Sequence, residues 1–227
     1  VQDGILSVGA CTTLSRLLSF FSAGACRSEA MVNLLKRFGS KQIRNRATIG
    51  GNLCSASPIG DLIPALLVLE ATAVLTRANG SRILDLEEFI EGYRKTALAK
   101  DEYLSKISLS IPESWSSFAF RKLSKRYEDD ISSVSIAVFL LHDNVRINEI
   151  RIALGGAGDR ALRLFEVEKI ILGRRLIDID WRAVSDALDR TIFPISDVRA
   201  SADYRQSMAI ASIKEMVDQF FLSSSGS

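Results

Sequence analysis

Most side chains in this sequence that could do chemistry fall in one stretch. Residues 48–61, Thr-Ile-Gly-Gly-Asn-Leu-Cys-Ser-Ala-Ser-Pro-Ile-Gly-Asp, combine paired glycines, small hydroxyls, one amide and a closing carboxylate. A Gly-Gly pair lets backbone N–H groups approach a ligand closely and permits positive φ. Successive N–H groups in such a turn form an anion-binding concavity. Thr48 and Ser55 add hydroxyl donors, and Asn52 adds a side-chain amide. Asp61 is acceptor-only when ionised, so it suits a sugar hydroxyl rather than a phosphate. Anion donors followed by a diol acceptor is the polarity order of a dinucleotide, and the stretch reads as a diphosphate cradle. The plainer alternative is a tight turn whose glycines only let the backbone cross, with Asp61 acting as a helix cap.

Other chemistries find little support. One histidine, His142, closes an apolar run and reads as a strand-end residue. It leaves little room for a Ser-His-Asp triad and none for a His-rich metal site. Cys11, Cys26 and Cys54 have no CxxC spacing, and so sparse a set fits a reducing, cytoplasmic setting. The pairs Glu87-Glu88 and Asp129-Asp130 read as solvated faces or caps. Acids and bases interleave to a net charge of +2, which leaves no nucleic-acid footprint. No apolar run reaches the ~20 residues that a membrane helix needs. Any redox work must therefore belong to a bound cofactor, with the protein supplying position and field.

The elements that hold these residues are legible from periodicity. The chain has 227 residues, 47% hydrophobic and 25% charged, enough for one large domain or two small ones. Asp3-Gly4 is a hairpin signal. It has almost no strand before it, which points to a longer polypeptide trimmed ahead of Val1. A strand over 5–10, helices over 12–21 and 28–38, and a basic linker over 41–47 lead to the glycine stretch. Asp61 and Pro64 start a helix. Strands over 71–77 and 81–84 flank an Asn79-Gly80 turn, followed by a short helix over 86–90, a loop over 92–95 and an alternating strand over 103–112. Residues 112–117 form a seam. Beyond it lie strands over 118–123, 134–140 and 149–154, then helices over 161–172, 181–192 and 204–221, and a serine-rich tail over 223–227. Short turns between strands predict antiparallel pairing and an α+β fold.

Three ordered motifs carry a family resemblance. Residues 43–66 (Ile-Arg-Asn-Arg-Ala-Thr-Ile-Gly-Gly-Asn-Leu-Cys-Ser onward to Leu66) resemble the second FAD motif of the molybdenum hydroxylases, in their flavoprotein subunit or domain. These are the xanthine dehydrogenase and carbon monoxide dehydrogenase families. Lys122-Leu123-Ser124-Lys125-Arg126 with Glu128-Asp129-Asp130-Ile131-Ser132 resembles the start of that family's flavoprotein C-terminal domain. The segment 197–205, Asp-Val-Arg-Ala-Ser-Ala-Asp-Tyr-Arg, resembles its closing signature.

The resemblance implies the second lobe of an FAD-binding fold of the vanillyl-alcohol-oxidase or PCMH type over 1–114. A C-terminal domain over 115–222 follows, with a three-stranded antiparallel sheet packed on helices, and a flexible tail over 223–227. It implies that Phe38 and Ala47 lie beside the FAD, and that Thr48, Ile49, Gly50, Gly51 and Asn52 hold its diphosphate. Cys54 and Ser55 fall near the isoalloxazine or ribityl chain, Asp61 on a sugar hydroxyl, Ile107 on the ring system and Lys122 at the isoalloxazine. The implied activity is electron transfer from iron–sulfur clusters through FAD to NAD⁺ or O₂. The molybdenum cofactor and [2Fe-2S] clusters would sit on partner domains or subunits of a higher-order oligomer. One departure matters: an earlier Ala-Gly-Gly-Thr-like motif of the family would fall before Val1. Two alternatives stay open, a docking module that binds no FAD alone and a stand-alone flavin oxidase of the same fold.

Overall fold

The computed structural model describes residues 1–127 and 129–224, with the side chains of 223 and 224 left aside. Asp3 and Gly4 both take positive φ, 50° and 73°, and turn the chain into strand β1 (Ile5–Gly9). Thr13 caps helix α1 (Leu14–Ser22), and Ser28 caps α2 (Glu29–Lys36), each hydroxyl accepting from a first-turn N–H. Residues expected to form a basic linker instead make helix α3 (Lys41–Arg46), because Ser40 accepts from the Ile43 N–H and starts a further turn. The Gly50-Gly51 pair likewise lies in a helix, α4 (Ile49–Cys54), rather than in a turn. Neither glycine has positive φ. Helix α5 (Leu62–Val68) follows, and each of its residues is buried.

Strands β2 (Thr72–Arg77) and β3 (Gly80–Asp85) form a hairpin. Arg77 pairs with Gly80, so the two loop residues are Ala78 and Asn79, one position earlier than the Asn-Gly signal suggests. Helix α6 (Leu86–Phe89) precedes β4 (Ile90–Gly92) and β5 (Lys95–Thr96), a tight hairpin where a loop was expected. Strand β6 (Tyr103–Ser110) buries Leu104, Ile107 and Leu109; the period of two holds from 107 on and is broken between 104 and 107, where its register with β2 shifts. It sits between β1 and β2 in an antiparallel sheet ordered β1-β6-β2-β3.

The second sheet begins with β7 (Phe118–Leu123), β8 (Val134–His142) and β9 (Ile147–Gly155). A fourth strand, β10 (Leu162–Arg163), takes the start of a segment expected to be wholly helical, and α7 (Phe165–Ile171) begins only after it. The C-terminal sheet is therefore four-stranded and antiparallel, not three-stranded. Helix α8 (Trp181–Thr191) is capped by Asp180, whose carboxylate accepts from the Arg182 and Ala183 N–H groups. Helix α9 (Ala202–Ser224) includes two serines expected in a loose tail; residues 225–227 of that tail, and Glu128 of the charged loop, lie outside the described residues. His142 ends β8 as expected, with its Nδ1 accepting from the Asn144 N–H at 3.0 Å.

Strands β8 and β9 are buried on both faces. Helix α5 covers one face, and α9 and α7 cover the other. An α-helix apolar all round must be enclosed. Each of its Leu, Ile or Val side chains gains about 1.5–3 kcal/mol by burial. Phe118, Ala137, Phe139, Ala153 and Ala161 of the second sheet region extend into the core of the first. Helix α5 thus lies between the two halves and presents Asp61, at its N-terminus, to β7. No helix among the described residues is long and apolar enough to cross a membrane.

Candidate functional site

Helix α4 is built by close approach. A Cβ on Gly50 would stand 2.6 Å from Ala10 Cβ and 2.8 Å from Ala10 O, so only glycine lets α4 lie on the end of β1. The Thr48 hydroxyl caps the helix by accepting from the Gly51 N–H at 3.0 Å. The Ile49 N–H donates to Thr12 O at 3.0 Å, Gly50 N–H to Ala10 O at 2.9 Å and Asn52 N–H to Thr48 O at 3.0 Å. A nest of free backbone donors is therefore not what the glycines make here, because all four N–H groups are engaged. The stretch offers a ligand the Thr48 hydroxyl, the exposed Gly51 backbone and the Asn52 amide. Among the described residues, Asn52 Oδ1 is buried without a hydrogen-bond partner, an arrangement that costs about 1–3 kcal/mol unless a donor arrives.

Asp61 does not cap α5 with its side chain. Its carboxylate turns instead to β7 and the loop before β8. Oδ2 accepts from Lys122 Nζ at 2.7 Å, and Oδ1 accepts from the Ser132 hydroxyl. The side chains of Lys122 and Asp61 are 2% and 8% exposed. A buried ion pair survives its desolvation only when further hydrogen bonds satisfy it. Here Lys122 Nζ also donates to Arg37 O at 3.0 Å. An ammonium has three donors; two are assigned here, and Lys122 also lines the adjoining cleft.

That cleft, of about 280 Å³, is lined by Phe38, Asn52, Gly60, Asp61, Lys122 and Ile131, and Asp129 and Asp130 add two further carboxylates to its wall. Arg44 braces the Phe38 segment by donating to Lys36 O at 2.9 Å and Phe38 O at 3.2 Å. On the far side, the Arg126 N–H, joined by the Ile131 N–H, holds the Asp130 carboxyl below the usual carboxylate range despite some desolvation. Asp130 thereby organises the 126–131 loop.

Four of the twelve residues singled out in sequence, Phe38, Asn52, Asp61 and Lys122, thus converge on one cleft. Ala47, Thr48, Ile49, Gly50 and Gly51 form the adjacent start of α4 and do not line it. Cys54 and Ser55 stand exposed at the far end of α4, where Ser55 Oγ donates to Asn52 O at 2.6 Å. Cys54 touches solvent, yet partial burial of its sulfur pushes the thiol pKa up, so it is not an activated thiolate. Ile107 is 0% exposed in the middle of β6, packed in the core away from the cleft. Ser132 and Arg37 are the residues that sequence reasoning missed. Ser132 stood inside a quoted motif without a role, and nothing in the sequence marks Arg37. Among the described residues, no group of three His, Cys, Asp or Glu side chains could hold a metal ion.

Comparison with known proteins gives this cleft its context. Residues 1–113 match the FAD binding domain in molybdopterin dehydrogenase, and residues 119–220 match the CO dehydrogenase flavoprotein C-terminal domain. The glyceraldehyde dehydrogenase medium chain of Sulfolobus acidocaldarius is 31% identical over 204 residues, 88% of this chain and 70% of that protein. The nicotinate dehydrogenase FAD-subunit of Eubacterium barkeri is 29% identical over 211 residues, 91% of this chain and 71% of that one. Among solved structures, a carbon monoxide dehydrogenase from Hydrogenophaga pseudoflava that lacks the Mo-pyranopterin moiety superposes with a TM-score of 0.85 at 27% identity, covering 95% of this chain and 74% of its counterpart. Both halves match in order, and the two-sheet α+β architecture is shared across nearly the whole length. The chain belongs to the FAD-binding medium subunits of the molybdenum hydroxylases, an oxidoreductase family.

Proposed function

We propose that this chain holds FAD in the cleft between α4, α5 and β7, and relays electrons within a molybdenum hydroxylase of the xanthine dehydrogenase type. One observation carries the reading: the buried Lys122–Asp61 pair shares the cleft wall with Phe38 and an orphaned Asn52 amide oxygen. The residues fit part of such a ligand. Phe38 offers an aromatic face, Asn52 an acceptor without a donor, and Lys122 an ammonium. At about 280 Å³ the cleft lies at the small end of ligand pockets, typically ~300–1,000 Å³. It therefore receives one portion of the dinucleotide, while Thr48, Ile49, Gly50 and Gly51 lie along its continuation.

Bound FAD supplies the electron-transfer chemistry. The protein orients it, excludes water with Phe38 and α5, and sets the charge beside it through Lys122. Asp61 is a sugar-hydroxyl acceptor only to the extent that its oxygens also keep Ser132 and Lys122. Ala47, Cys54, Ser55 and Ile107 complete the set by family resemblance. We divide the chain into an FAD-binding region over 1–114 and a C-terminal region over 115–222. Iron–sulfur and molybdopterin domains or subunits deliver electrons, NAD⁺ or O₂ accepts them, and the assembly is a cytoplasmic oligomer.

A second reading, a docking module without cofactor, is favoured by the internal engagement of the α4 N–H groups. The visible absorption spectrum of the purified complex separates the two. A flavin spectrum with about one FAD per chain supports the first, and a complex assembled without flavin overturns it.

A further inference from the structure

Ser132 is fully buried between two anchors. On one side the Ser133 N–H donates to Leu123 O at 2.7 Å, and Ser133 O accepts from the Arg205 guanidinium. On the other, the Ile131 N–H donates to Asp130 Oδ1 at 2.9 Å. The backbone around the serine is thus fixed, and its hydroxyl is aimed at Asp61 Oδ1 while Lys122 holds Oδ2. The pair and the serine lie in a region shielded from water, where a hydrogen bond is electrostatically stronger than in water.

We infer that Ser132 is a positioning residue that sets the charge Lys122 presents to the cleft. The inference rests on the proposed FAD site. The hydroxyl takes up part of the Asp61 negative charge and stops the carboxylate from turning both oxygens onto Lys122. Without it, Asp61 neutralises the ammonium more completely. The positive contribution of Lys122, the one cation beside Asp61, Asp129 and Asp130 among the described residues of the cleft lining, falls, and a ligand that gains electron density on reduction is held less well in its reduced form. Ser132 touches no ligand itself and acts only through Asp61 and Lys122.

The test is the midpoint potential of the flavin in the intact complex, measured for the unaltered protein, Ser132→Ala and Ser132→Thr. Ser132→Ala is expected to lower the reduced-to-oxidised ratio at fixed potential about tenfold, a fall of about 30 mV for a two-electron couple. Ser132→Thr, which keeps the hydroxyl, returns it towards the original value. Should Ser132→Ala fail to assemble, Ser132→Cys keeps the volume with a weaker donor and is expected to shift the potential in the same direction by less. A lowered melting temperature with unchanged potential in the folded variants overturns the inference and leaves the FAD site standing. A threonine that does not recover the potential also overturns it. An unaltered complex without flavin overturns the FAD site and the inference together.

Discussion

Arg37 and Lys122 bind each other twice. Arg37 Nη1 donates to the Lys122 carbonyl at 2.8 Å, and Lys122 Nζ donates to the Arg37 carbonyl at 3.0 Å. Arg37 follows helix α2 in the first half of the chain, and Lys122 lies on β7 in the second. The guanidinium continues outward, to Ser124 Oγ at 3.0 Å, and lies 4.9 Å from the centre of the Tyr127 ring. One arginine therefore stitches the charged 124–127 loop to the segment carrying Phe38, and orients the ammonium that faces the cleft.

Arg37→Ala should free that loop and take the guanidinium donor away from the Lys122 and Tyr127 carbonyls, at a cost of about 1–3 kcal/mol. Arg37→Lys should recover little, because an ammonium cannot reproduce the planar fork. Hydrogen exchange of residues 122–127 is the check. Protection equal to the unaltered chain in both variants would show that the stitch does not order the loop.

Removing Lys122 strands a buried carboxylate. Lys122→Ala should destabilise the chain by about 3–5 kcal/mol in urea unfolding. Asp61→Asn combined with Lys122→Met should cost less than the sum of the two single changes, with a coupling of about 1–3 kcal/mol. Strict additivity would mean that the 2.7 Å pair contributes nothing.

The two glycines of α4 should behave differently. At Gly50 a methyl group meets Ala10 Cβ at 2.6 Å and Ala10 O at 2.8 Å, so Gly50→Ala should cost about 1–3 kcal/mol. At Gly51 the only neighbour is Thr48 Oγ1 at 3.0 Å. The ~1 kcal/mol helix preference of alanine offsets that crowding, and Gly51→Ala should be near neutral. Equal thermal melts for the two variants would contradict this geometry.

Asp197 predicts an acid-sensitive window. Desolvation acts to raise its pKa, but the Arg199 and Ala200 N–H groups and the Arg205 guanidinium prevail and hold the carboxyl at about 2. The unfolded value is about 3.9. A depressed folded value stabilises fully above the unfolded pKa and drains away as pH falls through the folded one. Stability should therefore fall between about pH 4 and pH 2, and Asp197→Asn should flatten that part of the profile. An unchanged slope would remove Asp197 as its source.

How much of this was legible in the sequence depends on whether the determinant was local. The α4–α5 stretch stood out because its composition is unusual. The half-buried pattern of β6, apart from its register shift, and the Asp180 cap of α8 follow from short-range rules. Helix α3 hid because five polar and basic residues with a lone Ile43 show no apolar stripe, and a single Ser40 cap decides the matter. Strand β10 hid because two residues carry no period. In the site, Asp61 and Lys122 could be named singly, but the pair spans 61 positions, and neither local pattern nor motif says that they neutralise each other. Gly50 admits Ala10 against α4, a contact between distant positions that no local pattern announces.

If the cleft holds FAD, Asn52 should contribute to its affinity, because its buried oxygen has no hydrogen-bond partner among the described residues. FAD affinity is measured by fluorescence titration of the flavin-stripped complex, for the unaltered protein and Asn52→Ala. Reversible binding of about one FAD per chain is expected, weakened about tenfold by the substitution, as for one lost buried hydrogen bond. No binding by the unaltered complex, or the same affinity in both, would contradict it.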